Sequence, residues 1–168
     1  PTLIGDKMRP LGTQKNGVSG FFHNCNRGKR SLAIDLKSSS GVKAVTELAS
    51  QADVLVHNYR PGVMDKLGLG SKDIRDNNSQ IIYIAVSGFG TKGPMANLPA
   101  FDHVIQGMSG FTDLQSSDEN NFEFIKTFIC DKVTPTQYVK QQQQHYSQEH
   151  LQIKVSILIF LCCMHVFL

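Results

Sequence analysis

The chain has 168 residues, 40% hydrophobic and 18% charged, which describes one ordinary domain or a piece of a larger one and excludes a disordered or collagen-like protein. Seventeen Lys and Arg against fourteen Asp and Glu leave a net charge of +3, and the cations are too scattered for a nucleic-acid surface. Cysteines at 25, 130, 162 and 163 fit neither a metal spacing nor a disulfide framework, so a reducing intracellular setting, cytoplasmic or mitochondrial, is expected. The chain opens on Pro1 with no leader pattern, which suggests an upstream segment.

Residues 31–37 (SLAIDLK) alternate apolar and polar and predict a strand. Residues 38–41 (SSSG) supply turn and N-cap chemistry, and Val42, Val45, Leu48, Ala49 and Ala52 then recur at helical spacing. Residues 52–57 (ADVLVH) predict a strand covered on both faces. A helix is expected after Pro61-Gly62, a second short one capped by Ser71, and a third strand over residues 80–86. Strand alternating with helix predicts an α/β fold, a Rossmann-like parallel sheet with flanking helices, whose ligands sit beyond the carboxyl ends of the strands.

Residues 88–94 are turn-rich, and residues 100–111 predict a helix carrying Val104, Ile105 and Met108. Residues 115–123 read as loop, and residues 124–133 hold another apolar run. From Pro135 the composition changes, with four glutamines at 141–144 in a polar segment to His150 that signals little order. Residues 155–168 are apolar but shorter than a membrane span, which needs about 20 residues. A buried helix or strand, or an exposed apolar tail, is expected there, and no membrane partner.

No phosphate loop, complete dinucleotide fingerprint, Cys-x-x-Cys, paired histidines or Gly-x-Ser-x-Gly elbow occurs, so no metal or hydrolase nucleophile is expected. Residues 26–31 (NRGKRS) put three cations before a strand: a solvated loop or an anion site. Residues 57–62 (HNYRPG) close a strand on its ligand side, either as a turn needing Pro and Gly or as a ligand contact using Asn58 and Tyr59.

Five blocks, 26–37 (NRGKRSLAIDLK), 52–68 (ADVLVHNYRPGVMDKLG), 82–94 (IYIAVSGFGTKGP), 99–110 (PAFDHVIQGMSG) and 130–134 (CDKVT), resemble the class III CoA-transferase family (CaiB/BaiF) in that family's order. The resemblance covers about residues 1–135 and includes Gly5, Asp6 and Arg9. It implies a CoA thioester substrate, a small carboxylic acid acceptor, no permanently bound cofactor, and a homodimer in full-length members. It also implies an aspartate that attacks the acyl-CoA carbonyl to form an anhydride and then an aspartyl-CoA thioester. Position matching puts that nucleophile at Asp131, and CoA contacts at Ile34, Lys37, Asn58, Tyr59, Arg60, Lys66, Phe101 and Asp102.

Several positions depart from the pattern. Lys66 stands where relatives often carry Arg, and Pro99 where some contact CoA through Lys. The α-methylacyl-CoA racemase branch reads Gly-His-Asp where this chain has Ala100, Phe101 and Asp102, and Phe cannot carry a proton. His103 is unassigned, with a surface or helix-packing role expected. Family chains run to about twice this length or more. The expected organisation is therefore an incomplete family III large domain over 1–135 followed by a divergent low-complexity and apolar tail over 136–168. A non-catalytic CoA-binding or dimerisation fragment and a racemase-like epimerase are the alternatives to a transferase.

Overall fold

The computed structural model describes residues 6, 8–118, 121–146, 157–161 and 165–167; Gly5, the polar residues 147–150, Val155, Cys162 and Cys163 lie outside them. Two compact units are present, one of residues 1–87 with 155–168 and one of residues 88–154.

The first unit opens with a hairpin, β1 (Gln14–Lys15) and β2 (Val18–Ser19), which the hydrophobic pattern did not forecast. Its turn residues Asn16 (φ 53°) and Gly17 (φ 77°) both take positive φ, the requirement of a two-residue turn matching strand twist. Ser19 then caps α1 (Gly20–Cys25) by accepting the Phe22 N–H. After β3 (Ser31–Ala33), Ser38 accepts the Gly41 N–H and starts α2 (Ser39–Ala49), as its capping chemistry predicts. Next come β4 (Val54–His57), α3 (Val63–Lys66), α4 (Ser71–Asn77) and β5 (Ile82–Ala85). Gly70, not Ser71, is the N-cap of α4; the Asp73 carboxylate accepts its N–H at 3.0 Å.

The apolar tail forms β6 (Ile157–Leu161) and β7 (His165–Phe167), the strand outcome. Both insert into the sheet, whose order is β3-β7-β6-β4-β5. β4 pairs in parallel with β5 and β6, whereas β7 runs antiparallel to β6 and to β3. The fold is α/β as expected, but the sheet is mixed where a parallel one was expected. Three residues separate β6 from β7. A connection that short joins only antiparallel neighbours, while parallel ones need a crossover of a dozen residues or more.

The core of this unit packs Leu36, Val45, Ala49, Ala52, Leu55, Met64, Leu69, Ile74 and Ile81 together. Asn78 stitches it together by donating to the carbonyls of Ala49 (3.0 Å), the last residue of α2, and Ala52 (2.9 Å) just beyond it. Gly41 is fixed by proximity: a Cβ there would meet the Asp35 carbonyl oxygen at only 2.0 Å. Gly41→Ala must push α2 off the turn that carries Ile34 and Lys37, so it should lower the urea unfolding free energy by about 1–3 kcal/mol. An unchanged midpoint would contradict that close approach.

The second unit holds α5 (Asp102–Met108), α6 (Phe111–Leu114) and α7 (Ile129–Tyr146). Helix α5 turns a different face to the unit's interior from the one its apolar residues suggest. Met108 is 60% exposed and Val104 also faces solvent, while Asp102 and Gln106 are buried. Their i, i+4 spacing puts both polar side chains on one face, where hydrogen bonds from residues 125–131 satisfy them. Helix α7 runs through Pro135 and the glutamine run.

Candidate active site

In the first unit, the residues expected to touch CoA occupy the turns after parallel strands. Ile34, half-buried, and Lys37, exposed, follow β3; the Asp35 carboxylate accepts the Lys37 N–H at 3.0 Å and folds that turn over the start of α2. Asn58, Tyr59 and Arg60 follow β4 directly, with Asn58 and Arg60 exposed and Tyr59 half-buried. Through β7 and β6, β3 is parallel to β4, so both turns lie on the same edge of the sheet. Three strand intervals separate them, about 14 Å at the usual spacing, a span suited to an extended ligand. Lys66 ends α3 with its side chain exposed.

The basic loop before β3 falls on the other side of that strand, at its amino end. Arg27 and Arg30 are exposed there, but Lys29 is half-buried and donates to Asn26 Oδ1 at 3.2 Å. Burial pushes the Lys29 pKa down, opposed by Cys25 and Asp6.

His57 organises the turn after β4, a role its sequence context did not suggest. It is 5% exposed, and its Nδ1 accepts the Tyr59 N–H at 3.2 Å, which leaves Nε2 to carry the proton of the neutral ring. The ring meets Tyr83 edge-on at 5.3 Å, and Tyr83 in turn donates its hydroxyl to the Leu69 carbonyl at 2.9 Å. Burial holds the His57 pKa below its ordinary value, with Asp65 opposing; burial, then Asp65 and Asp73, push the Tyr83 pKa up.

The lowered His57 pKa fixes a pH dependence. The folded chain binds fewer protons than the unfolded chain near the ordinary histidine pKa, so stability rises with pH there. The contribution is complete above about pH 6.5 and is lost as pH falls from there toward the lower folded-state pKa. His57→Gln should flatten that part of the profile when urea midpoints at about pH 5.5 and about pH 7.5 are compared. An equally steep fall in the variant would assign the dependence to other groups.

In the second unit, Phe101, Asp102 and Asp131 come together at two helix starts. Phe101 is the N-cap residue of α5 and is 73% exposed. Asp102 opens the helix and is 3% exposed. Its Oδ1 accepts from Gln106 Nε2, and its Oδ2 accepts the Asp131 backbone N–H at 3.0 Å. Asp131 lies in the first turn of α7, where N–H groups have no partner within the helix, so a buried carboxylate on a neighbouring helix serves as its cap. Four residues on, Pro135 has no N–H to return to the Asp131 carbonyl, which frees the backbone on that side as well.

The Asp131 side chain itself is exposed. Partial desolvation raises its pKa, the Asp102 carboxylate raises it further, and His103 pulls it down, with the open solvent side tempering all three. Burial, with Asp102 and Asp131 adding, pushes the neighbouring Cys130 thiol up, which keeps it protonated. His103 packs edge-on against Phe124 (5.1 Å) and Phe128 (6.0 Å), the packing role expected of it. Gln106, fully buried beside Asp102, was missed because a glutamine inside an apolar helical pattern reads as surface; its i, i+4 spacing to Asp102 was the available clue.

Among the described residues no group of three or more His, Cys, Asp or Glu could hold a metal ion, and no helix is long and apolar enough to cross a membrane.

The sequence profile of CoA-transferase family III matches residues 1–140. Over 110 residues the chain is 42% identical to an acetyl-CoA:oxalate CoA-transferase of Acetobacter aceti, covering 66% of this chain and 28% of the relative. It is 40% identical over 97 residues to the α-methylacyl-CoA racemase of Mus musculus, covering 57% and 26%. The crystal structure of a CaiB/BaiF family protein from Brucella suis superposes with a TM-score of 0.72 at 29% identity, covering 93% of this chain and 42% of that one. The chain thus spans about a quarter of the length of the curated relatives it matches.

Proposed function

Because the chain belongs to CoA-transferase family III, we propose that it moves CoA from an acyl-CoA thioester to a small carboxylic acid, with Asp131 as the nucleophile. An ionised Asp131 oxygen attacks the thioester carbonyl, the C–S bond breaks, and CoA leaves as thiolate from an acyl-aspartyl anhydride. The thiolate attacks the aspartyl carbonyl, releasing the first acid and leaving aspartyl-CoA. The acceptor carboxylate displaces CoA to form a second anhydride, and the thiolate then attacks the acceptor's acyl carbon, which regenerates the Asp131 carboxylate. No proton has to be removed from the nucleophile, which suits a group exposed at a helix start.

One observation carries this reading: the Asp131 backbone is held by the buried Asp102 carboxylate while the Asp131 side chain stays open to solvent. The proposal includes CoA contacts at Ile34, Lys37, Asn58, Tyr59, Arg60, Lys66, Phe101 and Asp102, and the homodimer of the full-length family. It also keeps the Rossmann-like arrangement, with the turns after β3 and β4 as the ligand side. CoA is substrate here, with no resident cofactor.

The test is to incubate the chain with succinyl-CoA or oxalyl-CoA and a panel of isotopically labelled acids. Label entering the acyl-CoA pool supports transfer; none, from folded protein, contradicts it. The racemase relative favours a second reading, proton exchange α to the thioester, but Phe101 offers no proton donor. Deuterium uptake at the α-carbon without label transfer would favour that reading instead.

A further inference from the structure

We propose that Gln106 is a positioning residue for the reaction, fixing the Asp102 carboxylate and, through it, the turn that carries Asp131. The inference rests on the transferase reading for its consequence and on geometry for its mechanism. Gln106 is 0% exposed in the middle of α5, where a glutamine has no ordinary reason to be buried. Both ends of its amide are occupied. Oε1 accepts the Ile125 N–H at 2.9 Å, while Nε2 donates to the Thr127 carbonyl at 3.1 Å and to Asp102 Oδ1.

One side chain therefore ties α5 to the extended segment leading into α7 and clamps the carboxylate that caps α7. With one Asp102 oxygen held by Gln106, the other is aimed at the Asp131 N–H. Only an amide of this length fills the place, because one end must donate and the other accept. Leucine or methionine would fill the volume but leave the Ile125 N–H and the Thr127 carbonyl unpaired and Asp102 free to rotate. Among the described residues, the titratable groups that act on Asp131 are Asp102 and His103 from α5 and Cys130 from its own helix, while the Lys132 ammonium donates to Thr127 Oγ1 at 2.6 Å.

The test uses the full chain and two variants, Gln106→Met and Gln106→Glu, with three readouts. In Gln106→Met kcat for label transfer should fall about 10- to 100-fold, as expected when a reacting group is displaced, with a smaller rise in KM for the acyl-CoA because the released Asp102 is also a proposed CoA contact. In the same variant the Asp131 amide should lose its hydrogen-exchange protection. Gln106→Glu places a third carboxylate beside Asp102 and should also move the acid limb of the rate profile to higher pH, a shift that packing alone would not cause.

Wild-type rate and an Asp131 amide still protected in Gln106→Met would overturn the proposal. If wild type itself transfers no label, the transferase reading fails separately, and amide protection in the variants still decides the positioning claim. If neither variant folds, the wild-type Gln106 side-chain amide decides: slow exchange supports the clamp, and exchange at the rate of an exposed glutamine overturns it.

Discussion

Asp131→Asn should abolish CoA transfer, by about 10⁴-fold or more, as removal of an enzyme nucleophile does. The urea midpoint should stay close to wild type, since the interaction that Asp131 makes with Asp102 uses the backbone N–H, which Asn retains. Wild-type activity should fall on the acid side as Asp131 takes up a proton. Partial desolvation and the Asp102 carboxylate place that midpoint above the ordinary aspartate value, with His103 opposing. Because the anion is the reactive form, activity is present above the midpoint and lost below it. Retained transfer in Asp131→Asn would move the nucleophile elsewhere.

Asp102→Ala should be the costliest change in the second unit. It leaves Gln106 Nε2 short of one acceptor and the Asp131 N–H with none at the start of α7. At about 1–3 kcal/mol for each stranded donor, a loss of about 2–6 kcal/mol is expected in urea unfolding. Asp102→Asn separates structure from charge. It keeps one acceptor oxygen, costs less stability, and removes the like charge, so the acid limb of the transfer profile should move to lower pH. A profile that stays in place would show that Asp102 does not act on Asp131 electrostatically.

The strands and helices of the first unit were legible because burial on both faces writes continuous apolar runs and capping writes a serine. Residues 52–57 and Ser38 became β4 and the cap of α2. Strand order was not legible. Nothing local in residues 80–86 or 155–168 says that two strands from the chain's end separate β3 from β4, because that is decided by pairing across about a hundred residues. The hairpin at Asn16-Gly17 has a strong turn signal in its dipeptide, but its flanks are too polar to read as strands. In the second unit the pattern misled. Val104 and Met108 suggested an apolar inner face, whereas hydrogen bonding put Asp102 and Gln106 there. The candidate nucleophile came from position in a family series, since an Asp before a Lys has no chemistry of its own to announce.

Attack of the Asp131 carboxylate on a CoA thioester would leave an activated carboxyl that a nucleophile can capture. The most direct measurement is intact-mass and peptide mass spectrometry of the chain after incubation with succinyl-CoA or oxalyl-CoA, with hydroxylamine added to capture the activated carboxyl. A hydroxamate on Asp131 is expected, or a CoA adduct at that residue when hydroxylamine is left out. Folded protein that carries no modification at Asp131, or carries it at another carboxylate, would rule out Asp131 as the nucleophile.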